Sequence, residues 1–178
     1  MKNLYIISAV ALCLVAACEN DYHKFSHKLP STNIKQDKSE GLVGIDLDKN
    51  GIRDDIDAFI MEQYTSHEDR DAVSQMAKNV QSELLTSEST GTDELQSIYN
   101  QKIRAITCLS SKRTGKKGGI HEGTIKDILQ LTLNTKQREQ ASKDFAWRVS
   151  STPVKFPNEG DDGCDQQLNP STNQTTSR

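Results

Sequence analysis

Between Ile52 and Val149 the apolar residues recur every three or four positions, and no stretch alternates for the length of a strand. That period places them on one side of a helix, so the spacing predicts helices and argues against a sheet. Ile52, Ile56, Phe59 and Ile60 share a face of a first helix running to about Tyr64. Ser66, with Asp69 three residues on, reads as the cap of a second helix with the stripe Ala72, Val73, Met76, Ala77, Val80 and Leu84. After a polar break over 86–92, Thr92, Asp93 and Glu94 suit a third helix start, because acids favour the positive end of a helix. Its stripe is Leu95, Ile98, Tyr99, Ile103, Ile106 and Leu109. A fourth helix carries Ile125, Ile128, Leu129 and Leu133. Asn134, with Gln137, can cap a fifth that presents Ala141, Phe145 and Val149. Pro153 and Pro157 end regular structure. The expectation is an all-α bundle of about five helices. Aromatic residues make up only 5% of the chain, so its core must be mainly aliphatic.

Ahead of this region lies a different kind of sequence. Lys2 is followed by an apolar run from Leu4 to Ala17, broken only by Ser8 and too short for a lasting membrane span. It closes on Val15-Ala16-Ala17-Cys18, which resembles the lipobox of bacterial lipoproteins. The resemblance implies cleavage before Cys18, a thioether-linked lipid on its thiol and acylation of the new amino group. An ordinary signal peptide with an incidental Cys18, or a core helix, is the alternative. On the lipoprotein reading, residues 1–17 are the signal, 18–40 a flexible tether, 41–157 the helical domain and 158–178 a tail. The tether, polar and containing Pro30, would reach on the order of 25 Å as a coil and about 70 Å when taut. Glu19 is not the Asp that marks inner-membrane retention in enteric lipoproteins, which points to the outer membrane, facing the periplasm. Loss of Lys2 with the signal leaves 21 basic against 25 acidic residues, a balance that disfavours nucleic acid as a partner.

Export also simplifies the cysteines. Cys13 leaves with the signal and Cys18 carries lipid, so Cys108 and Cys164 remain in an oxidising compartment and are expected to pair. Two free thiols or a metal pair are the alternatives. Closing that loop should stabilise the fold by roughly 4 kcal/mol through the entropy it removes from the unfolded chain.

The segment Asp46-Leu47-Asp48-Lys49-Asn50-Gly51-Ile52-Arg53-Asp54-Asp55-Ile56-Asp57 carries the clearest chemistry. Calcium, a hard cation, takes about six to eight oxygens. Alternate residues supply them from Asp46, Asp48 and Asn50, Gly51 permits the sharp turn, and Ile52 offers its carbonyl. Asp54 follows as a direct or water-bridged ligand, and Asp57 closes the set. The string resembles the EF-hand loop and, more closely, the EF-hand-like loops of exported bacterial proteins such as dockerins. It is also similar to an element of small, uncharacterised envelope lipoproteins of Gram-negative bacteria. It departs from the EF-hand in having Asp57 rather than Glu at the last position, Arg53 where an apolar residue is usual, and neither a preceding helix nor a partner hand. The alternative is a plain turn at Asn50-Gly51 leading into an acid-rich helix start, with Arg53 paired to Asp57.

No catalytic motif accompanies the loop. His121-Glu122 lacks the second His of a zinc-protease helix, because Ile125 occupies that place. Ser66-His67-Glu68 reads as a helix start, and no Gly-x-Ser-x-Gly elbow occurs. His23 and His27, four apart, sit in the tether. The stretch Lys112 to Gly119 is the most cationic in the chain; it is a solvated loop or a surface for anionic lipid, lipopolysaccharide or an acidic partner. Trp147 falls off the Phe145/Val149 face, either covering the bundle edge or exposed for recognition. The expectation is therefore a calcium-stabilised module, without enzymatic activity, that binds another envelope or exported protein. An immunity or inhibitor lipoprotein is one form of it. The alternative from another class is a small hydrolase whose site is assembled only in the fold, around His67 or His121 beside a carboxylate.

Overall fold

The computed structural model describes residues 28–165; the signal segment 1–17, Cys18, His23, His27 and residues 166–178 lie outside them. Five helices follow one another: α1 (Asp54–Gln63), α2 (His67–Leu84), α3 (Thr92–Lys112), α4 (Thr124–Thr132) and α5 (Lys136–Val149). The fold is the all-α bundle that the apolar period predicts. None of the described helices is long and apolar enough to cross a membrane.

Helix α2 is the hub, packing against each of the other four. All six residues of its expected stripe are buried. Asn79, Gln81 and Glu83 are buried on it as well, and each makes polar contact with a neighbour while one side-chain oxygen has no hydrogen-bond partner. Asn79 Nδ2 donates to the Ile98 carbonyl, Gln81 Nε2 donates to the Leu42 and Val43 carbonyls, and Lys102 Nζ lies 2.9 Å from Glu83. Burial raises the pKa of Glu83, and the Lys102 charge opposes that. A second, smaller cluster joins Leu95 of α3 to Phe145 and Val149 of α5.

Three local expectations change. Helix α1 begins at Asp54, so Ile52 is buried ahead of the helix, in the loop, and Arg53 takes the N-cap position with extended backbone. Helix α5 is capped by Thr135, whose Oγ1 accepts from Arg138 N, and not by Asn134. On α4 the deepest apolar residues are Ile128 and Leu131, with Ile125, Leu129 and Leu133 only partly buried. The Ser66 cap is present, with its Oγ accepting from Asp69 N.

Both flanks are tied to the bundle. Cys108 and Cys164 form a disulfide with their Cα atoms 4.6 Å apart, fixing the tail to α3. Gln75 clasps that tail, donating to the Gly163 carbonyl and accepting from Asp165 N. At Gly163, φ is +78°, and a Cβ would stand 2.5 Å from the Arg104 carbonyl, so no larger residue can pass so close to α3. On the other flank, Leu29 and Ile34 pack against the core, and the stretch from Ser31 to Lys38 lies along the domain as an irregular strap. The domain thus extends N-terminal to Gly41, and at least residues 29–39 of the expected tether belong to it.

Candidate metal centre

The strap and the head of α1 together shape the acidic loop. Ile45 N donates to Asp37 Oδ2, and Asp54 N donates to the Ile45 carbonyl, which fixes where the loop starts and where the helix begins. Between them the chain turns on two left-handed residues, Lys49 (φ 58°) and Gly51 (φ 87°). Asp46 draws that turn inward, its two carboxylate oxygens accepting from Asn50 N at 3.2 Å and Gly51 N at 3.0 Å. Asp54 Oδ1 accepts from Leu47 N.

As a result, one carboxylate oxygen from each of Asp46, Asp48 and Asp54 lies within 4.8 Å of the others. Hard, anionic oxygens at that spacing could hold a metal ion. Asn50 sits at the rim: its Nδ2 donates to Asp48 Oδ2 at 3.0 Å and to Asp57 Oδ2 at 2.7 Å, while its Oδ1 accepts from Ile52 N. The amide NH₂ thus bridges two acids, and Asp57 reaches the cluster through it. Ile52 contributes backbone to the loop and its side chain to the core. Burial raises the pKa of Asp57; the Asn50 hydrogen bond opposes this, and the negative charges of Asp48, Asp46 and Asp54 add to it. Among the described residues no lysine or arginine forms an ion pair with any of these four carboxylates. Arg53 is paired with Asp55, not Asp57.

That pairing anchors the loop from beneath. Arg53 is fully buried; its Nε meets Asp55 Oδ1 at 2.6 Å, its Nη2 meets Asp55 Oδ2 at 2.9 Å, and Nη2 also donates to the Leu131 carbonyl at the end of α4. Cations are favoured at that helix end. Arg138, equally buried, gathers the strap: it donates to the carbonyls of Asp37, Gly41 and Leu42 and to Asn134 Oδ1. Asp37 joins the two arginines' surroundings through its N–H, which donates to Asp55 Oδ2. Burial pushes the Asp37 carboxyl up. Hydrogen bonds from the N–H and hydroxyl of Ser39 and from Ile45 N, with the Arg138 charge, outweigh that and lower it to about 2. Neither buried arginine was foreseen as structural, although extending the α5 stripe back one turn from Ala141 lands on Arg138.

Both histidines of the hydrolase alternative have a carboxylate neighbour. His67 Nδ1 lies 2.7 Å from Asp71 Oδ2, and His121 Nε2 lies 3.5 Å from the buried Asp127. Neither arrangement is enclosed, since the His67 side chain is 75% exposed and that of His121 41%. His67, Asp71 and Ser74 share an open groove with the disulfide. Seven residues of helix nevertheless separate His67 from Ser74 by about 10 Å, beyond the reach of a nucleophile–base hydrogen bond. The cationic loop after α3 is folded back on the α1–α2 connection: Thr65 N donates to the Gly118 carbonyl, and Ile120 is buried. Trp147 is exposed. Neither a family model, nor a curated protein, nor a solved structure matches the chain.

Proposed function

We propose that this chain is an envelope lipoprotein, anchored through lipid on Cys18 at the outer membrane facing the periplasm. Its calcium-stabilised helical domain serves as a protein-interaction module. The observation that carries the calcium reading is the convergence of Asp46, Asp48 and Asp54, none of which forms an ion pair with a lysine or arginine among the described residues. Two oxygens on one calcium ion, each about 2.3–2.6 Å from it, can stand up to about 5 Å apart, so the carboxylates are suitably spaced. Asn50, the Ile52 carbonyl and Asp57 complete the ligand set, with the Asn50 amide turned so that Oδ1 faces the ion. Calcium is structural here. It offsets half of the charge of the four loop carboxylates and locks the strap to the head of α1, with an affinity in the ~10⁻⁴–10⁻³ M range of extracellular modules. The lipid anchor rests on the Val15–Cys18 motif, and the Cys108–Cys164 disulfide supports a compartment in which thiols pair. The absence of an enclosed acid–base site among the described residues favours binding over catalysis.

A thermal scan tests the calcium reading. At about 10 mM calcium the folded state should gain roughly 1.4–2.7 kcal/mol over the chelated protein, which raises the midpoint by several degrees. Identical midpoints would remove the site. Labelled palmitate on the wild type, absent from Cys18→Ser, tests the anchor. Cross-linking in cells with mass spectrometry tests the interaction role, which fails if no specific partner is captured.

A further inference from the structure

Three of the large apolar side chains left exposed fall within five residues of the metal loop: Val43 at 50%, Ile45 at 53% and Leu47 at 81%. They alternate with residues that face inward. A Cβ on Gly44 would collide with Arg53 and Asp37, and Asp46 turns its carboxylate into the loop. Val43, Ile45 and Leu47 are therefore left on the outer side. Leu47 is flanked in sequence by two of the clustered acids, Asp46 and Asp48. We propose that Val43, Ile45 and Leu47 form a docking edge that enters an anionic phospholipid surface once calcium occupies the loop. The proposal rests on the lipid-anchor and calcium readings above.

The length of chain ahead of the described residues keeps one candidate occupant, the bilayer, within reach. Ten residue steps separate Cys18 from Lys28, so a lipid on Cys18 holds the start of the strap within about 35 Å of the bilayer however the intervening chain runs. The strap then passes Ile34 and Asp37, which border Ile45 itself. The edge thus adjoins the strap through which the anchor ties the domain to lipid. Charge supplies the condition. Exposed Lys35, Lys38 and Lys49 attract anionic headgroups, but Asp46, Asp48, Asp54 and Asp57 repel them; one calcium ion cancels half of those four negative charges, and the three lysines then prevail. Apolar side chains that enter the headgroup region then add their burial to the electrostatic attraction.

The test uses the lipidated protein, purified from membranes and reconstituted in vesicles of phosphatidylethanolamine and phosphatidylglycerol containing a brominated lipid. Leu47→Trp on a Trp147→Phe background makes position 47 the only tryptophan, and Ile45→Trp on the same background is the second reporter. Calcium should shift the emission of both to the blue and quench it by about twofold or more relative to chelator, whereas the emission of the unsubstituted protein, from Trp147 alone, should not change. Quenching should fall in vesicles of phosphatidylcholine alone. Unquenched emission at both positions with calcium, or equal quenching with and without it, overturns the proposal. If the calcium shift in melting persists through such a failure, only the docking edge is lost. Loss of that shift removes the metal site as well, and a protein without palmitate removes the tether that places this edge at the bilayer.

Discussion

Two acid-bearing regions lie side by side at the head of α1 and are resolved in opposite ways. Asp37 and Asp55 are set among the guanidinium groups of Arg53 and Arg138, both wholly buried, with backbone donors completing their shells. Asp46, Asp48, Asp54 and Asp57 share only N–H donors and each other. Two neighbouring acids, Asp54 and Asp55, belong to different regions, because one points into the loop and the other beneath it. The contrast teaches that the number of carboxylates does not make a cation site. What sets the loop apart is that its carboxylates have no lysine or arginine ion-pair partner among the described residues, so any cation that matches them has to come from solution.

The sharpest way to break the comparison is to remove the counter-charge from the matched side. Arg53→Ala leaves Asp55 buried, with the carbonyls at the end of α4 unserved, and should cost about 3–5 kcal/mol in urea unfolding. Arg53→Lys keeps the charge but not the two-pronged contact and should recover only part of that loss. Calcium cannot compensate either variant, because the defect lies beneath the loop. A wild-type urea midpoint in Arg53→Ala would mean that this ion pair contributes nothing.

The matched side is also the part of the protein that the sequence conceals. The helices were legible because each stripe is a local pattern, and the acidic loop was legible because its clustered carboxylates lie within a few residues of one another. The strap was read as tether because it is polar, contains Pro30 and has no period. What orders it comes from far along the chain: Arg138 bonds to the carbonyls of Asp37, Gly41 and Leu42 across 96 to 101 residues. No local window contains both ends of such a contact. The start of α1 was misplaced as well. Ile52 fits the helical stripe, but the backbone of Arg53 is extended, so the helix opens only at Asp54.

Acid sharpens the comparison next. Against the effect of burial, hydrogen bonds and the Arg138 charge hold the Asp37 carboxyl at about 2 in the fold, below its ordinary 3.8. A depressed pKa stabilises the fold fully above the unfolded value, and the contribution is lost as pH falls through the folded one. At roughly 1.36 kcal/mol for each pKa unit, Asp37 should contribute about 2 kcal/mol at neutral pH. Unfolding of the wild type and Asp37→Asn should therefore differ by that amount near pH 6 and converge towards pH 2. A constant difference over that range would place the effect in packing and not in the charge.

The smallest effect is the most discriminating, because its sign depends on calcium. Asp48 is exposed, and its two oxygens accept from the N–H and side-chain amide of Asn50. Asp48→Asn relieves repulsion from Asp46, Asp54 and Asp57 but sacrifices one of those acceptors. In chelator the two changes nearly cancel, within about 0.5 kcal/mol. In calcium the same substitution removes a proposed ligand, so the variant should lose most of the wild type's gain in melting temperature. Asp55→Asn, on the matched side, should cost the same with or without the ion, since its partner is Arg53. If Asp48→Asn also lowered the midpoint equally in both conditions, its carboxylate would be acting as a turn acceptor alone. The loop would then be matched from within, by Asn50, and the distinction between the two regions would disappear.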